Sequence, residues 1–374
     1  MKKIVIFADF EAFGGTRTYF KNLIEFYRSA DYQIVAAIEQ EYLDKDMLEF
    51  LTRNEVNIRL ISIKYRKGIF LQFFLSIVID LFLGVPILVQ EKPDLIVIST
   101  GKAGKLLGLM VCPVRVIYVS HSYPVCDRPR IIYRNPFYRM LLFITLNRQK
   151  RILTVSAFSE SLIKKCWLIR GKKQEFVHFI YNFSMLEHTS CCQVNSGKKI
   201  VLTVGHVRWY KNPEIWYSVA LKTIEKYHGN VEFLWAGEGN LLEKYLARVQ
   251  KEGSPQIKFL GFQKNVAELY GQCTIYFQPS LAESQGIAVL DAMMMGKPCV
   301  VSDAGGLPES VIDGKTGYII DPLDTDRMTE RILELLEHEH LRARMGEAGK
   351  EYYLNNFSHR KWIQEMKKLH ENVV

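Results

Sequence analysis

The residues whose types and spacing point most directly to chemistry are Glu283 and Asp291, which enclose the stretch Ser284-Gln285-Gly286-Ile287. An apolar run from Thr274 to Phe277 ends in Gln278-Pro279-Ser280, so a β-strand stops there and passes into a loop. Ile287, Ala288, Leu290, Ala292 and Met293 then fall at helical spacing, which starts a helix near Gly286. A helix start just beyond the carboxyl end of a strand offers unpaired N–H groups and a positive dipole end to an anion such as a phosphate. A glycine at that place lets the backbone come close. Glu283 precedes the first turn, and Asp291 sits about a turn and a half into the helix, where its carboxylate can lean back toward the helix start. An anion pocket between two acceptor side chains suits a ligand that joins a phosphate to polyols, and a nucleotide sugar is such a ligand.

A second junction of the same kind follows the apolar run 200–207 and reads Arg208-Trp209-Tyr210-Lys211-Asn212-Pro213. Asn212 reads as an N-cap with Pro213 at the first helical position, which projects Lys211 at a helix start. Each charge-assisted bond from such a cation to a diphosphate contributes about 1.5–3 kcal/mol. Either Arg208 or His206 is available as its companion, and the permanent charge of arginine favours Arg208. Near the amino terminus, the apolar strand over 2–8 is followed by Phe13-Gly14-Gly15-Thr16 and a helical stripe of Tyr19, Phe20, Leu23, Ile24 and Tyr27. This is a weaker anion-friendly turn. It is not G-x-G-x-x-G, so the nicotinamide or flavin fingerprint is absent.

These junctions need sheets to hold them. At 374 residues the chain exceeds what one core usually supports, and two domains are expected. Strands over 33–38 and 57–63 alternate with a helix over 43–54, and the alternation continues to the carboxyl terminus, which predicts βαβ units and parallel sheets. The stretch 101–110 reads as a helix, and the strand after it ends at His121. A histidine in that position either points to the ligand edge of the sheet or is structural. Residues 183–199 have no periodicity and many small polar groups, as a linker does. The domains are therefore 1–185 with a closing helix over 358–374, and 196–357. Ser358 caps that helix, and Trp362, Met366 and Leu369 form its apolar stripe.

The segment PSLAESQGIAVLDAMMMGKPCVVSDAGGLPE, with two acids framing seven residues, then Gly-Lys-Pro and Gly-Gly-x-x-Glu, resembles the signature of the retaining family 4, group 1 glycosyltransferases of GT-B fold. The resemblance implies an α/β chain of two Rossmann-like parallel-sheet domains facing a central cleft. The first domain takes the acceptor and the second takes the nucleotide sugar, with the closing helix crossing back and Trp362 as its anchor. It implies that Glu283 contacts the hydroxyls of the donor sugar and Asp291 the ribose, where an aspartate replaces the usual glutamate and shortens the reach by one methylene. Lys211, with Arg208 or His206 beside Gly205, and the N–H groups near Ser284, Gln285, Gly286 and Ile287 would hold the departing diphosphate. His206 occupies the family's usual arginine position. Gly14 and Gly15 would face donor phosphates and acceptor, and His121 would reach the donor sugar. The nucleobase is expected near 259–262. The implied reaction moves a hexose, UDP-linked in most families of this look, to a growing surface polysaccharide such as lipopolysaccharide or to a lipid-linked oligosaccharide. A sugar-nucleotide epimerase and a non-catalytic anion or nucleic-acid binder are the alternatives.

Composition narrows these further. The seven cysteines show neither C-x-x-C pairs nor metal spacing, which fits a reduced compartment. Lys2-Lys3 runs directly into the first strand without a signal-peptide pattern, so a cytoplasmic protein is expected. Residues 1–195 carry 27 Lys and Arg against 17 Asp and Glu, whereas 196–374 carry 22 against 23. The excess concentrates in 101–173, with 15 basic residues against 2 acids, and arginines alternate with aromatics over 127–150. Such a face steers anionic partners, and peripheral contact with an anionic membrane is expected in preference to nucleic acid. The apolar run 69–89 reads as a buried helix, a surface-docking helix or a membrane span, the last disfavoured by Asp80 near its centre. The D-x-D at Asp324-Thr325-Asp326 precedes an amphipathic helix and reads as a cap, so no metal or other cofactor is expected.

Overall fold

The computed structural model describes residues 1–10, 15–62, 71–101, 104–122, 136–184, 186 and 198–373, without the side chains of 71–77 and 136–139. Gly14 and most of the stretch 183–199 lie outside the described residues, as does 127–135 of the arginine-aromatic run. The chain divides into two compact units, Met1–Tyr181 with Ile363–Val374, and Asn182–Trp362.

The first unit holds a sheet of seven described strands: β1 (Lys2–Asp9), β2 (Tyr32–Glu39), β3 (Asn57–Ile61), β4 (Leu95–Thr100), β5 (Arg115–Ser120), β6 (Lys150–Thr154) and β7 (Val177–Phe179). Their order is β3-β2-β1-β4-β5-β6-β7, and every pair is parallel. The central strands are apolar on both faces because helices cover both sides, as a parallel sheet requires. Val5 pairs in register with Val35 and Ile96, and these side chains share one face and one core cluster with Leu107, Leu109 and Leu142.

One local reading of this unit needs adjustment. The helix expected over 101–110 does not form among the described residues, which instead make a turn and a short 3-10 segment, Leu107–Val111. The Tyr118 hydroxyl takes the Gly104 N–H at 2.9 Å and donates to the Lys105 carbonyl at 3.0 Å, while Leu106 is left-handed at φ 60°. The backbone groups that would start an α-helix are thus spent on a side chain, and a left-handed leucine breaks the helical path. The apolar run 69–89 forms the helix Leu71–Glu91. Its inner side packs Leu81, Leu83, Ile87 and Leu88 on the core, and buried Asp80 accepts the Gly108 N–H at 3.0 Å. Among the described residues no helix is long and apolar enough to cross a membrane.

The second unit repeats the architecture with six parallel strands: β8 (Lys199–Val204), β9 (Val231–Ala236), β10 (Ile257–Gly261), β11 (Ile275–Gln278), β12 (Cys299–Ser302) and β13 (Gly317–Ile320). The order β10-β9-β8-β11-β12-β13 reverses direction between β8 and β11, just as the first sheet reverses between β1 and β4. Trp216, Trp235 and Phe259 pack edge-on or stacked within 5.1–5.8 Å at the heart of its core. The closing helix His359–Glu371 is shared in sequence between the units, since its residues from Ile363 group with the first. His370 bonds the Tyr32 hydroxyl at 2.9 Å there, while Trp362 groups with the second unit and lies against Phe183 and His359.

Candidate active site

The loops that leave the carboxyl ends of β8 and β11 flank the point where the strand order reverses, which is where open α/β sheets bind ligands. The two loops are tied by their backbones, because the Leu281 N–H donates to the Tyr210 carbonyl at 2.7 Å. Gly205 begins the first loop at φ +148°, and a Cβ there would come within 3.3 Å of Lys211 Cε, so the lysine stem passes through space that a side chain would narrow.

Lys211 forms an ion pair with Glu283, and both side chains are largely buried, 12% and 11% exposed. The same carboxylate oxygen, Oε1, accepts Gln278 Nε2 at 2.8 Å and Ser280 Oγ at 3.1 Å. Gln278 is itself held by the Tyr276 hydroxyl at 2.7 Å. All three donors thus converge on Oε1. Burial works against the lysine charge, but Glu283 and Tyr210 outweigh it and raise the pKa, so Lys211 is a permanent cation. One pair does not exhaust it, since an ammonium carries three donors. Asn212 stands at the N-cap position, but its side chain does not cap. The residue is left-handed at φ 59° and its Nδ2 donates to the Pro322 carbonyl at 3.0 Å, so the loop is pinned across to the strand end instead. His206 and Arg208 share this loop, both half-buried, and the Arg208 N–H donates to the His206 carbonyl at 2.9 Å.

The helix Ile287–Met294 starts after Gly286, which is left-handed at φ 92°. No side chain caps it and no acid stands in its first turn, so its leading N–H groups are open to an anion. The loop before it is clamped from below. A Cβ on Gly305 would sit 2.0 Å from the Glu283 carbonyl oxygen and one on Gly306 2.2 Å from that of Ser284, while the Gly306 N–H donates to the Glu283 carbonyl at 2.9 Å. The paired glycines of the signature therefore set the height of the acid-bearing loop. Gln285 is buried and its Oε1 accepts the Asn182 N–H at 2.8 Å.

Asp291 accepts the Ser184 hydroxyl at 2.6 Å, and the Ser184 N–H in turn bonds the Tyr353 hydroxyl at 2.9 Å. Burial pushes the Asp291 carboxyl up to about 7, and the serine bond only partly offsets it. In this arrangement the carboxylate serves Ser184 as well as any ligand. Ser184 lies within the stretch read as linker, yet it is buried and belongs to the second unit. It carried no signal in the sequence because its partner is 107 positions away. Gln278 and Ser280, also overlooked, were visible beside Glu283 at the strand end.

In the first unit, His121 follows β5. Its Nε2 lies 3.0 Å from Ser99 Oγ at the end of β4, and its ring meets Tyr19 edge-on at 4.5 Å. Burial depresses its pKa to about 3, so the imidazole is neutral. Gly15 opens the helix Gly15–Ser29 after β1. At the β1/β4 reversal Lys105 pairs with Asp9 at 2.6 Å and Glu39 at 3.6 Å, and the Tyr42 hydroxyl donates to Asp9 at 3.1 Å. The D-x-D is taken up locally. Asp324 caps the helix Thr325–Glu337 through the Arg327 N–H at 3.0 Å, and Asp326 pairs with Lys222 at 2.7 Å.

Comparison with known proteins agrees with this geometry. The family described as Glycosyl transferases group 1 matches residues 192–352. The chain is 27% identical over 231 residues to the N-acetyl-alpha-D-glucosaminyl L-malate synthase of Bacillus anthracis, covering 59% of this chain and 60% of that protein. The chain thus spans three fifths of the length of this curated relative. Its fold is similar to a glycosyltransferase of Rickettsia africae, at TM-score 0.79 and 15% identity over 100% of this chain and 98% of that one. It is similar also to Anabaena HepE in complex with UDP-glucose, at TM-score 0.75 and 16% identity over 99% and 100% of the two chains. Two parallel-sheet α/β units with these neighbours define a GT-B fold. The region that matches the group 1 glycosyltransferase family, residues 192–352, falls within the second unit.

Proposed function

We propose that the chain is a retaining glycosyltransferase that moves a hexose from a nucleotide sugar, UDP-linked by preference, to a growing surface polysaccharide or lipid-linked oligosaccharide. The observation that carries this reading is the meeting of a charged Lys211, a carboxylate with all its bonds on one oxygen and an uncapped helix start at the reversal of the second sheet. The UDP assignment is supported by the complex of a protein of the same fold with UDP-glucose.

In this reading Lys211 keeps its bond to Glu283 and turns its remaining donors to the diphosphate, joined by Arg208 and by the N–H groups of Gly286 and Ile287. His206, next to Gly205, is the alternative companion. Oε2 of Glu283 accepts from the sugar hydroxyls, and the Asp291–Ser184 pair lies toward the ribose. No protein nucleophile is required. The leaving phosphate takes the acceptor's proton while positive charge spreads over the sugar ring, so the work of the residues is positional and electrostatic. Neutral His121 donates or accepts a hydrogen bond on the sugar without adding charge. We read the reaction as needing no metal, with Lys211 and the helix start taking the diphosphate charge and the D-x-D serving as a helix cap.

The test is a thermal-shift panel of UDP, GDP and ADP and their common sugars, without added metal. A nucleotide at about a hundred times its Kd stabilises by about 2.7 kcal/mol, which for a unit of this size is a shift of about 5–10 °C. One responding base supports the donor site and names its class. Silence across the panel, together with no hydrolysis or transfer of any donor sugar, would sink the reading.

A further inference from the structure

The outer surface of the first unit carries a feature that donor chemistry does not use. Along the helix Leu71–Glu91, Val78, Phe82, Val85 and Val89 recur on one side and are exposed, Phe82 at 81%. Along the helix Pro136–Thr145, Met140, Phe143 and Ile144 are exposed, the last two at 72% and 67%. The 3-10 segment Leu107–Val111 packs against both helices and exposes Val111. Of seventeen large apolar side chains exposed among the described residues, eight lie on these three elements.

Topology places the three together. All lie in the crossovers β3 to β4, β4 to β5 and β5 to β6, which run in one direction along the sheet. Right-handed connections put successive crossovers of one direction on the same face. The shared core agrees, since Leu81, Leu83, Leu107, Leu109, Leu142 and Leu146 pack on the same side of that sheet. A helix on a solvated surface ordinarily turns charged residues outward. Here the outward positions from Val78 to Gln90 bear no charge at all, because Asp80 is buried and Glu91 is paired with Lys3 and Arg59.

The charges around this face are mainly basic, with Glu175 an exposed acid two positions past Lys173. The stretches 104–122 and 136–150 contain no Asp or Glu. Lys173 holds its ammonium 5.8 Å from the centre of the Phe143 ring and donates to the Leu146 carbonyl, with Lys172 exposed beside it and Arg148 exposed three positions beyond the helix. Apolar side chains rimmed by lysine and arginine whose stems lie along them match the interface of an anionic bilayer, apolar below and negative above.

We propose that these outer helix faces form a membrane-docking surface that seats Phe82, Phe143 and Ile144 among the acyl chains of an anionic leaflet while Arg148, Lys172 and Lys173 meet its headgroups. It extends the reading above from a basic segment to a defined surface and rests on that reading only for its purpose, which is to hold the protein where a lipid-linked acceptor is found. Charge alone would make binding vanish at high salt, whereas seated side chains leave a salt-resistant part.

The full chain is sedimented with vesicles of phosphatidylcholine, alone or in equal parts with phosphatidylglycerol, at low and high salt, and its hydrolysis of donor sugar is measured in solution. Phe82→Ser, Phe143→Ser and Ile144→Ser are combined in one variant, and Arg148→Glu with Lys172→Glu in a second. All five side chains are exposed, so both variants should fold. The wild type should bind the anionic vesicles, and each variant should bind about ten-fold or more weakly, with donor hydrolysis unchanged. Wild-type binding that the apolar variant retains in full overturns the proposal. So does a wild type that ignores anionic vesicles and dissociates from dimer to monomer when the apolar residues are replaced, which would assign the face to a second copy. Vesicle binding with no donor hydrolysis would leave this surface standing and defeat the glycosyltransferase reading.

Discussion

The two units share a fold and a reversal of strand order, but they spend their charges differently at the two reversals. In the second unit Lys211, Gln278 and Ser280 converge on one oxygen of Glu283, and the helix beside them begins without a cap. In the first unit the charges close on one another, Lys105 on Asp9 and Glu39, and Arg17 on Asp44 and Asp46. Among the described residues, one edge joins a single lysine to a single acid beside an uncapped helix start, and the other sets one lysine between two acids with a neutral histidine nearby. In the function proposed above, handling a diphosphate falls to the second unit.

Replacing Lys211 tests this contrast most severely. Lys211→Ala should lower kcat/KM for transfer about a thousand-fold, the order of removing a preorganised charge partner of a developing anion, in a steady-state assay with the fold checked by melting. If Lys105→Ala in the first unit cost as much, the contrast would fail. Glu283→Gln keeps the shape but weakens both the ion pair and the sugar contact, and a loss of about a hundred-fold in kcat is expected; unchanged donor hydrolysis would remove Glu283 from its assigned role. Gly306→Ala forces a Cβ onto the Ser284 carbonyl and should cost the second unit about 2 kcal/mol or more in denaturant unfolding, with the first unit's transition unmoved. His121→Ala should lower transfer about ten-fold while leaving nucleotide affinity as it was, measured by calorimetry with UDP.

The smallest effects have opposite signs in the two units. Asp291 has a folded-state pKa near 7, above its unfolded value, so the folded state holds more protons and its contribution to stability is lost as pH rises toward and through 7. His121 has a folded pKa near 3, below its unfolded value, so the folded state holds fewer protons and its contribution is lost as pH falls from about 6.5 toward 3. Asp291→Asn should flatten the decline of the second unit between about pH 4 and pH 7, and His121→Asn should flatten the acid loss of the first. Melting followed by tryptophan fluorescence between those limits reads both. Parallel slopes in wild type and variants would show that neither group is buried as described.

Much of this was legible in the sequence, for local physical reasons. The strand-loop-helix around Glu283 announces itself by an apolar run, a proline and helical periodicity, and Gly305-Gly306 belongs to the motif that carries the resemblance. The fold class followed from strands alternating with helices. What stayed hidden depends on distant partners. Ser184 reaches Asp291 across more than a hundred positions, and nothing in 183–199 distinguishes it from a linker. Asn212 carries the composition of a cap but takes the Pro322 carbonyl instead, because a left-handed backbone turns its side chain away from the helix. The segment after β4 has helix-forming residues, and only Tyr118, from the neighbouring strand, converts it to a turn.

The Gly305–Gly306 clamp and the Tyr210–Leu281 bond together leave the stretch from Ser280 to Gly286 no slack in length. An insertion or deletion there would have to break main-chain contacts on two sides at once. Relatives that use different sugars on this scaffold are then expected to differ by exchange of side chains at positions such as Ser284 and Ile287, not by loops of new length. A library for redirecting donor choice should be built at fixed length for the same reason.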